Sequence, residues 1–173
     1  MGRDFQDLAR EYGGVVFTYA RYSLRHREDA EDITQEVLVR LWAHRDAIEP
    51  ARMRGWVMQV ARNLVIDMAR RRRSRAAVIA DGVEAEQSAS LVASPGAADA
   101  ELDRGEIRDV VHRAIATLNE PYRSILVMRE IQGLAYQEIA AGMGMPLGTI
   151  KVYLHRARRV LREAVQREMG THV

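Results

Sequence analysis

Cysteine is missing from the chain's 173 residues, which excludes disulfides and thiolate-held zinc outright and fits a reducing compartment. Proline is nearly missing too: four residues leave room for long helices, in a composition that reads as soluble and helical. No apolar run approaches the roughly 20 residues of a membrane span, and the opening MGRDFQDLAREYGG has no signal-peptide core. A cytoplasmic protein without membrane insertion is therefore expected. At this length the chain holds one medium domain or two small ones, each with a modest core.

A large net charge is also lacking, since the formal total is only +2 at pH 7. That near-balance is built from opposed blocks. Arg70 to Arg75 contains five arginines in six residues, whereas Ala76 to Arg108 carries seven acids against two arginines. Charges sorted in this way point to separate partners for separate segments.

What the chain does have is clearest at Leu134 to Arg162, LAYQEIAAGMGMPLGTIKVYLHRARRVLR. It reads as a helix, a glycine-containing turn and a second, basic helix. At about 100° per residue, Ile150, Leu154, Ala157 and Leu161 share one arc with Tyr153 and Val160 on its flanks. The opposite side carries Lys151, Val152, His155, Arg156, Arg159 and Arg162, a row able to meet phosphates and base edges in a major groove. In the preceding helix Leu134, Ile139 and Ala140 face inward, Gly142 and Gly144 permit the turn, and Pro146 suits a first helical turn. The pattern is that of a helix-turn-helix, reading duplex DNA; the competing account is a solvated basic helix in an ordinary bundle.

The first half has its own faces. Asp4 to Tyr12 and Val15 to Leu24 are apolar-periodic stretches with Gly13-Gly14 as a bend between them, expected to be scaffold. From Arg27 to His44, Ala30, Ile33, Val37, Leu38 and Leu41 share an arc, and Glu28, Asp29, Asp32, Gln35 and Glu36 populate the other side. Acids there favour the helix dipole, and the same face suits a basic protein partner. A third helix, from about Met53 to Arg73, buries Trp56, Val57, Val60, Ala61, Leu64 and Met68 and exposes Gln59, Arg62, Asn63, Ile66, Arg70 and Arg73. Amides and guanidinia together are the chemistry for stacking on bases and bonding their edges. Asp67 is spaced to pair with Arg70 or Arg71. Ala76 to Arg104 lacks apolar period and reads as an acidic linker. Beyond it, Ile107, Val110, Val111, Ala114 and Leu118, then Tyr122, Ile125, Leu126 and Ile131, supply two further helices, the second ending at Gly133.

The order of these segments resembles the extracytoplasmic-function class of sigma factors within the sigma-70 family of bacterial initiation factors. DAEDITQEVLVRLW looks like the polymerase-binding part of the first sigma domain, RGWVMQVARNLVIDMARR like its promoter-melting part, and LNEPYRSILVMREIQGLAYQEIAAGMGMPLGTIKVYLHRARRVL like the second domain. The fold class so implied is all-α: a first helical domain at 1–75, a flexible acidic linker at 76–105 and a helix-turn-helix domain at 106–173. The resemblance implies that Asp32, Gln35, Glu36 and Arg40 contact the largest polymerase subunit. It implies that Asn63, with the Arg52 to Trp56 loop including Arg54, holds a flipped base of the -10 element, and that Gln59, Arg62 and Arg70 follow the strand. Thr149, Lys151, His155, Arg156, Arg158 and Arg159 would address the -35 element. Core RNA polymerase, promoter DNA and an anti-sigma factor are the implied partners; no cofactor, metal or catalysis is implied.

Three other classes compete with this reading. A free-standing helix-turn-helix regulator accounts for Leu134 to Arg162 but not for the Glu28 to Glu36 or Asn63 faces. A metal-dependent nuclease would need Asp29, Glu31, Asp32 and Glu36 around a cation, yet Glu31 and Asp32 point about 100° apart on a helix. Membrane association through Arg70 to Arg75 would need apolar residues such as Trp56 that the core requires.

Overall fold

The structure is a computed structural model that describes residues 4–24, 26–79 and 102–170. Among these residues all regular structure is helical. Helix α1 (Phe5–Ser23) buries Leu8, Tyr12, Val16, Tyr19 and Ala20, which share one face at helical spacing. It runs unbroken through Gly13 and Gly14, where a bend was expected. Two glycines cost a helix about 1 kcal/mol each. Burial along the same face on both sides of the pair outweighs that cost, and the open surface of Gly13 lies against Leu38 of the next helix. Helix α2 (Arg27–His44) seats Ala30, Ile33, Val37 and Leu41 against α1. A single 3-10 turn (Pro50–Arg52) leads into α3 (Met53–Ile79), so the Arg52 to Trp56 segment is helical rather than a loop. Met53 anchors that start by being buried.

Helical structure reaches into the expected linker from both sides. Helix α3 continues through Ile79 and α4 (Leu102–Thr117) begins at Leu102, because no glycine or proline intervenes before Gly82 and Gly105 is tolerated inside α4. The remainder of the expected acidic linker lies outside the described residues. Helix α5 (Tyr122–Leu126) passes into a π-helical turn (Val127–Ile131) that closes at Gly133, φ +65°. Arg123 of α5 is buried, and its Nη2 donates to the carbonyls of Ala116 and Leu118 at 3.0 and 2.6 Å and so closes the C-terminus of α4. Helices α6 (Tyr136–Met143) and α7 (Leu147–Gly170) complete the unit. Gly144, at φ +62°, makes the left-handed turn between them.

The two units share one continuous core. Helices α1, α2 and α3 pack together, as do α4 to α7, and α3 packs again on α6. This second packing explains why α3 buries Met58 and Val65, which the one-faced reading left out, and leaves Trp56, Val60, Leu64 and Met68 partly buried.

Candidate nucleic-acid and partner interfaces

Three exposed faces carry the predicted site residues. On α7, Ile150, Leu154 and Ala157 are buried, and Lys151, Val152, His155, Arg156 and Arg159 all stand in solvent. Thr149 is half-buried at the start of the helix. Arg158 is differently placed: its Nε and Nη2 both bond Oε1 of Glu130, at 2.9 and 2.6 Å, on the π-helical turn. That carboxylate raises the Arg158 pKa and holds the guanidinium on the surface, over the π-helical turn. The helix before it is fixed at its start by the Ala135 N–H donating to Glu138 Oε2 at 2.7 Å, and Arg129 lies over the Tyr136 ring at 4.8 Å.

On α2, Asp32, Gln35, Glu36 and Arg40 are all exposed, with Arg40 Nε bonded to Glu36 at 2.7 Å. Their stripe also contains Val39, 58% exposed, and Trp42, 37% exposed. The Trp42 ring is held edge-on to Phe5, with centroids 5.8 Å apart, and beneath the Arg45 guanidinium at 3.7 Å. An apolar centre inside a polar rim is the anatomy of a protein interface. Sequence reasoning missed Val39 and Trp42, although their spacing of three and four residues from Gln35, Glu36 and Val39 itself was the available signal.

The acids of α2 do not surround a cation. Asp29 meets Arg72 of α3, Glu31 takes a bond from Arg27 at 2.7 Å, and Glu36 is on Arg40. Among the described residues no group of three histidine or acidic side chains is arranged to hold a metal ion. The Arg72–Asp29 pair ties the two helices together; the sequence had offered Asp67 as an arginine's partner.

On α3, Gln59, Asn63 and Arg70 are exposed along one side, and Arg52 is exposed in the 3-10 turn with Glu49 3.4 Å away. Trp56 is half-buried, its ring 5.8 Å from that of His44. Arg54 is drawn toward the second unit instead, and Arg62 is turned toward α1. Arg54 Nη2 donates to the Gln132 carbonyl at 3.2 Å, and its Nε lies 4.0 Å from Glu138. Arg62 is half-buried, with its Nε enclosed, close enough to Tyr19 to act on it by charge. The structure thus keeps Arg52, Gln59, Asn63 and Arg70 on an open surface and separates Arg54 and Arg62 from them.

The chain's two halves match two family models, Sigma-70 region 2 over residues 8–75 and Sigma-70, region 4 over residues 108–161. It is 35% identical over 165 residues to the ECF RNA polymerase sigma factor SigL of Mycobacterium tuberculosis, with 94% of this chain and 89% of that protein covered. To the ECF RNA polymerase sigma factor SigE of Mycolicibacterium smegmatis it is 29% identical over 159 residues, covering 92% of this chain and 60% of that longer protein. Its fold is similar to the sigma factor RpoE in the complex with the anti-sigma factor NepR from Bartonella quintana, at TM-score 0.73 and 27% identity, covering 94% of this chain and 97% of that one. CnrH, solved with the cytosolic domain of CnrY, shares the fold at TM-score 0.66 and 21% identity, over 94% of this chain and 87% of that one.

Proposed function

The chain belongs to the extracytoplasmic-function RNA polymerase sigma factors, and on that premise we propose how its exposed faces divide the work of promoter recognition. The acidic and apolar stripe of α2, with Asp32, Gln35, Glu36, Val39, Arg40 and Trp42, grips core RNA polymerase. Asn63 on α3 takes an unpaired base of the -10 element, and Gln59 and Arg70 follow its strand. Arg52, Arg54, Trp56 and Arg62 complete that surface when α3 is free. Thr149, Lys151, His155, Arg156 and Arg159 on α7 read the -35 duplex, with Arg158 holding α7 on the π-helical turn rather than touching DNA.

The observation that carries this reading is the sorting of charge by helix face, with acid on α2 and amide or guanidinium on α3 and α7, in a chain matching both sigma regions. An acidic face repels DNA and fits a basic protein groove; the other two do the reverse. The chain supplies no catalysis of its own in this scheme and works in the cytoplasm. An anti-sigma factor is the proposed regulator, a role supported by the similar RpoE, which was solved bound to one.

The test is co-purification with bacterial core RNA polymerase, then transcription from a genomic fragment library with and without the chain. Initiation that depends on the chain and shares a two-part promoter is expected. Tight duplex binding without polymerase binding would instead mark a free-standing regulator. Within an active system, Asn63→Ala is expected to impair opening of duplex promoters more than use of pre-melted ones. Equal loss on both templates would remove Asn63 from the base pocket. Exchanging Asp32 and Glu36 for lysine is expected to weaken polymerase binding at unchanged helicity.

A further inference from the structure

We propose that Val152 selects a thymine in the -35 duplex, by packing against the C5-methyl group that thymine presents in the major groove. The inference rests on the assignment of α7 to that duplex, and it names the residue that gives this face a base preference.

Val152 is not explained by the fold. It is 49% exposed and stands outside the buried cluster, to which α7 contributes Ile150, Leu154 and Ala157. A β-branched residue is also a mediocre helix former, so helix propensity does not ask for it either. Its place on the helix is informative. With Ile150 at zero and about 100° per residue, Leu154 and Ala157 fall at about 40° and 340°, and Val152 at about 200°, almost opposite the core. Gly148, at about 160° and one turn earlier, shares that pole. It is exposed, and a Cβ built on it would meet nothing within 4 Å, so packing inside the chain does not require a glycine there. The pole of the first two turns is therefore bare backbone followed by a short apolar side chain. A helix laid in a major groove brings its pole closest to the base edges, and a pole of this shape lets it enter deeply.

The charges stand to either side. Lys151 and His155 lie at about 100° and 140° and Arg156 at about 240°, and all three are exposed, as is Arg159 roughly two turns along the pole. Long cationic side chains in those places reach the phosphates that border the groove and supply affinity. Val152 has neither donor nor acceptor, so the polar edges of the bases gain nothing from it, whereas a thymine methyl does. A lone exposed valine ordinarily has no meaning, and an apolar patch would suit a protein partner. The other exposed apolar residue of these turns, Leu147, falls at about 60°, roughly 140° around the helix from Val152, so no patch forms. One apolar side chain ringed by cations fits a methyl group on the floor of a polyanion's groove.

Deoxyuridine tests the contact directly, because it pairs as thymine does and lacks only the methyl. The full chain, assembled with core polymerase, is bound to a promoter fragment recovered from the library experiment. Each -35 thymine, on either strand, is replaced in turn by deoxyuridine. At one position the replacement is expected to weaken binding of unmodified chain about fourfold, the effect of losing one buried methyl group. Val152→Ser, which carries no methyl and has a similar helix propensity, is expected to bind the thymine and deoxyuridine templates alike at unchanged helix content. Lys151→Ala is expected to weaken both templates equally and keep their ratio, since a phosphate contact does not read bases. The proposal is overturned if no thymine shows a methyl effect, if the effect persists in Val152→Ser, or if Lys151→Ala abolishes it as well. A chain that yields no polymerase-dependent initiation fails earlier, at the assignment of α7, and takes the proposal with it; the absence of any recovered promoter marks that case.

Discussion

His112 shows how a single side chain can make the joint between the units sensitive to acid. Its ring is half-buried against Tyr22 and hydrogen-bonded to the Arg21 carbonyl. Desolvation holds its pKa below the ordinary value, and the charges of Arg21 and Arg108 push the same way; the Arg21 carbonyl and Asp109 oppose them. The fold therefore prefers the neutral ring. Its contribution is intact above the ordinary imidazole value of about 6.5 and is lost as pH falls from there through the lowered folded value. The melting temperature of the unmodified chain is expected to drop more steeply between about pH 7 and 5.5 than that of His112→Gln. Identical slopes would take His112 out of the account. The Tyr19–Ser124 pair makes a second prediction at this scale, from asymmetry. Burial raises the Tyr19 pKa, so its hydroxyl stays protonated, and Ser124 is its buried partner. Ser124→Ala strands that hydroxyl, at a cost of about 1 to 3 kcal/mol, whereas Tyr19→Phe leaves Ser124 bonded to Glu120 and costs about 1 kcal/mol. Urea unfolding of the two variants measures the difference, and the reverse order would mean that the bond is not formed in solution.

Among the elements, α7 was legible from the sequence because its period is clean: a narrow apolar arc against a broad basic one, and the burial follows it. Helix α3 was only half legible. A helix packed on two sides buries two arcs, and the second one, with Met58, Gly55 and Val65, depends on a partner about 80 residues away that no local pattern announces. The same reason explains Gly142, which reads as a turn residue and proves to be a packing residue, while Gly144 alone makes the turn. Gly144→Ala is accordingly expected to destabilise the chain by about 1 kcal/mol, the cost of a side chain in the left-handed region, with DNA contacts untouched. On α2 the acidic residues were visible as charge, but Val39 and Trp42 were not, since an apolar residue in a helix is first read as core. Trp42→Ala tests their role. If the exposed ring is a buried anchor in the polymerase complex, its loss lowers affinity by more than tenfold, consistent with about 2 kcal/mol or more for an aromatic hot spot. A change of less than twofold would leave the binding to the charged rim.

Across the whole molecule, the question is whether the two units behave as one cooperative body when free. Each alone is small, and small domains bury too little of their surface for comfortable stability. Here the buried cluster passes without a gap from Leu8 and Val37 through Met58 to Ile139 and Leu154, because α3 serves both sides. A shared core of this kind couples unfolding of one side to the other. Calorimetry of the free chain is therefore expected to show one transition, with the calorimetric and van't Hoff enthalpies equal. The coupling passes through the crossing of α3 and α6, where a Cβ at position 142 already lies 3.3 Å from Met58 and 3.4 Å from the Gly55 carbonyl. A Cβ there asks its neighbours to give by tenths of an ångström, but a leucine adds three more carbons against backbone that has no space for them. Gly142→Leu is expected to force the units apart, replacing the single transition by two at lower temperature while helix content at 20 °C, or roughly room temperature, stays nearly constant. One undivided transition in that variant would show that the coupling between the units does not depend on this crossing of α3 and α6.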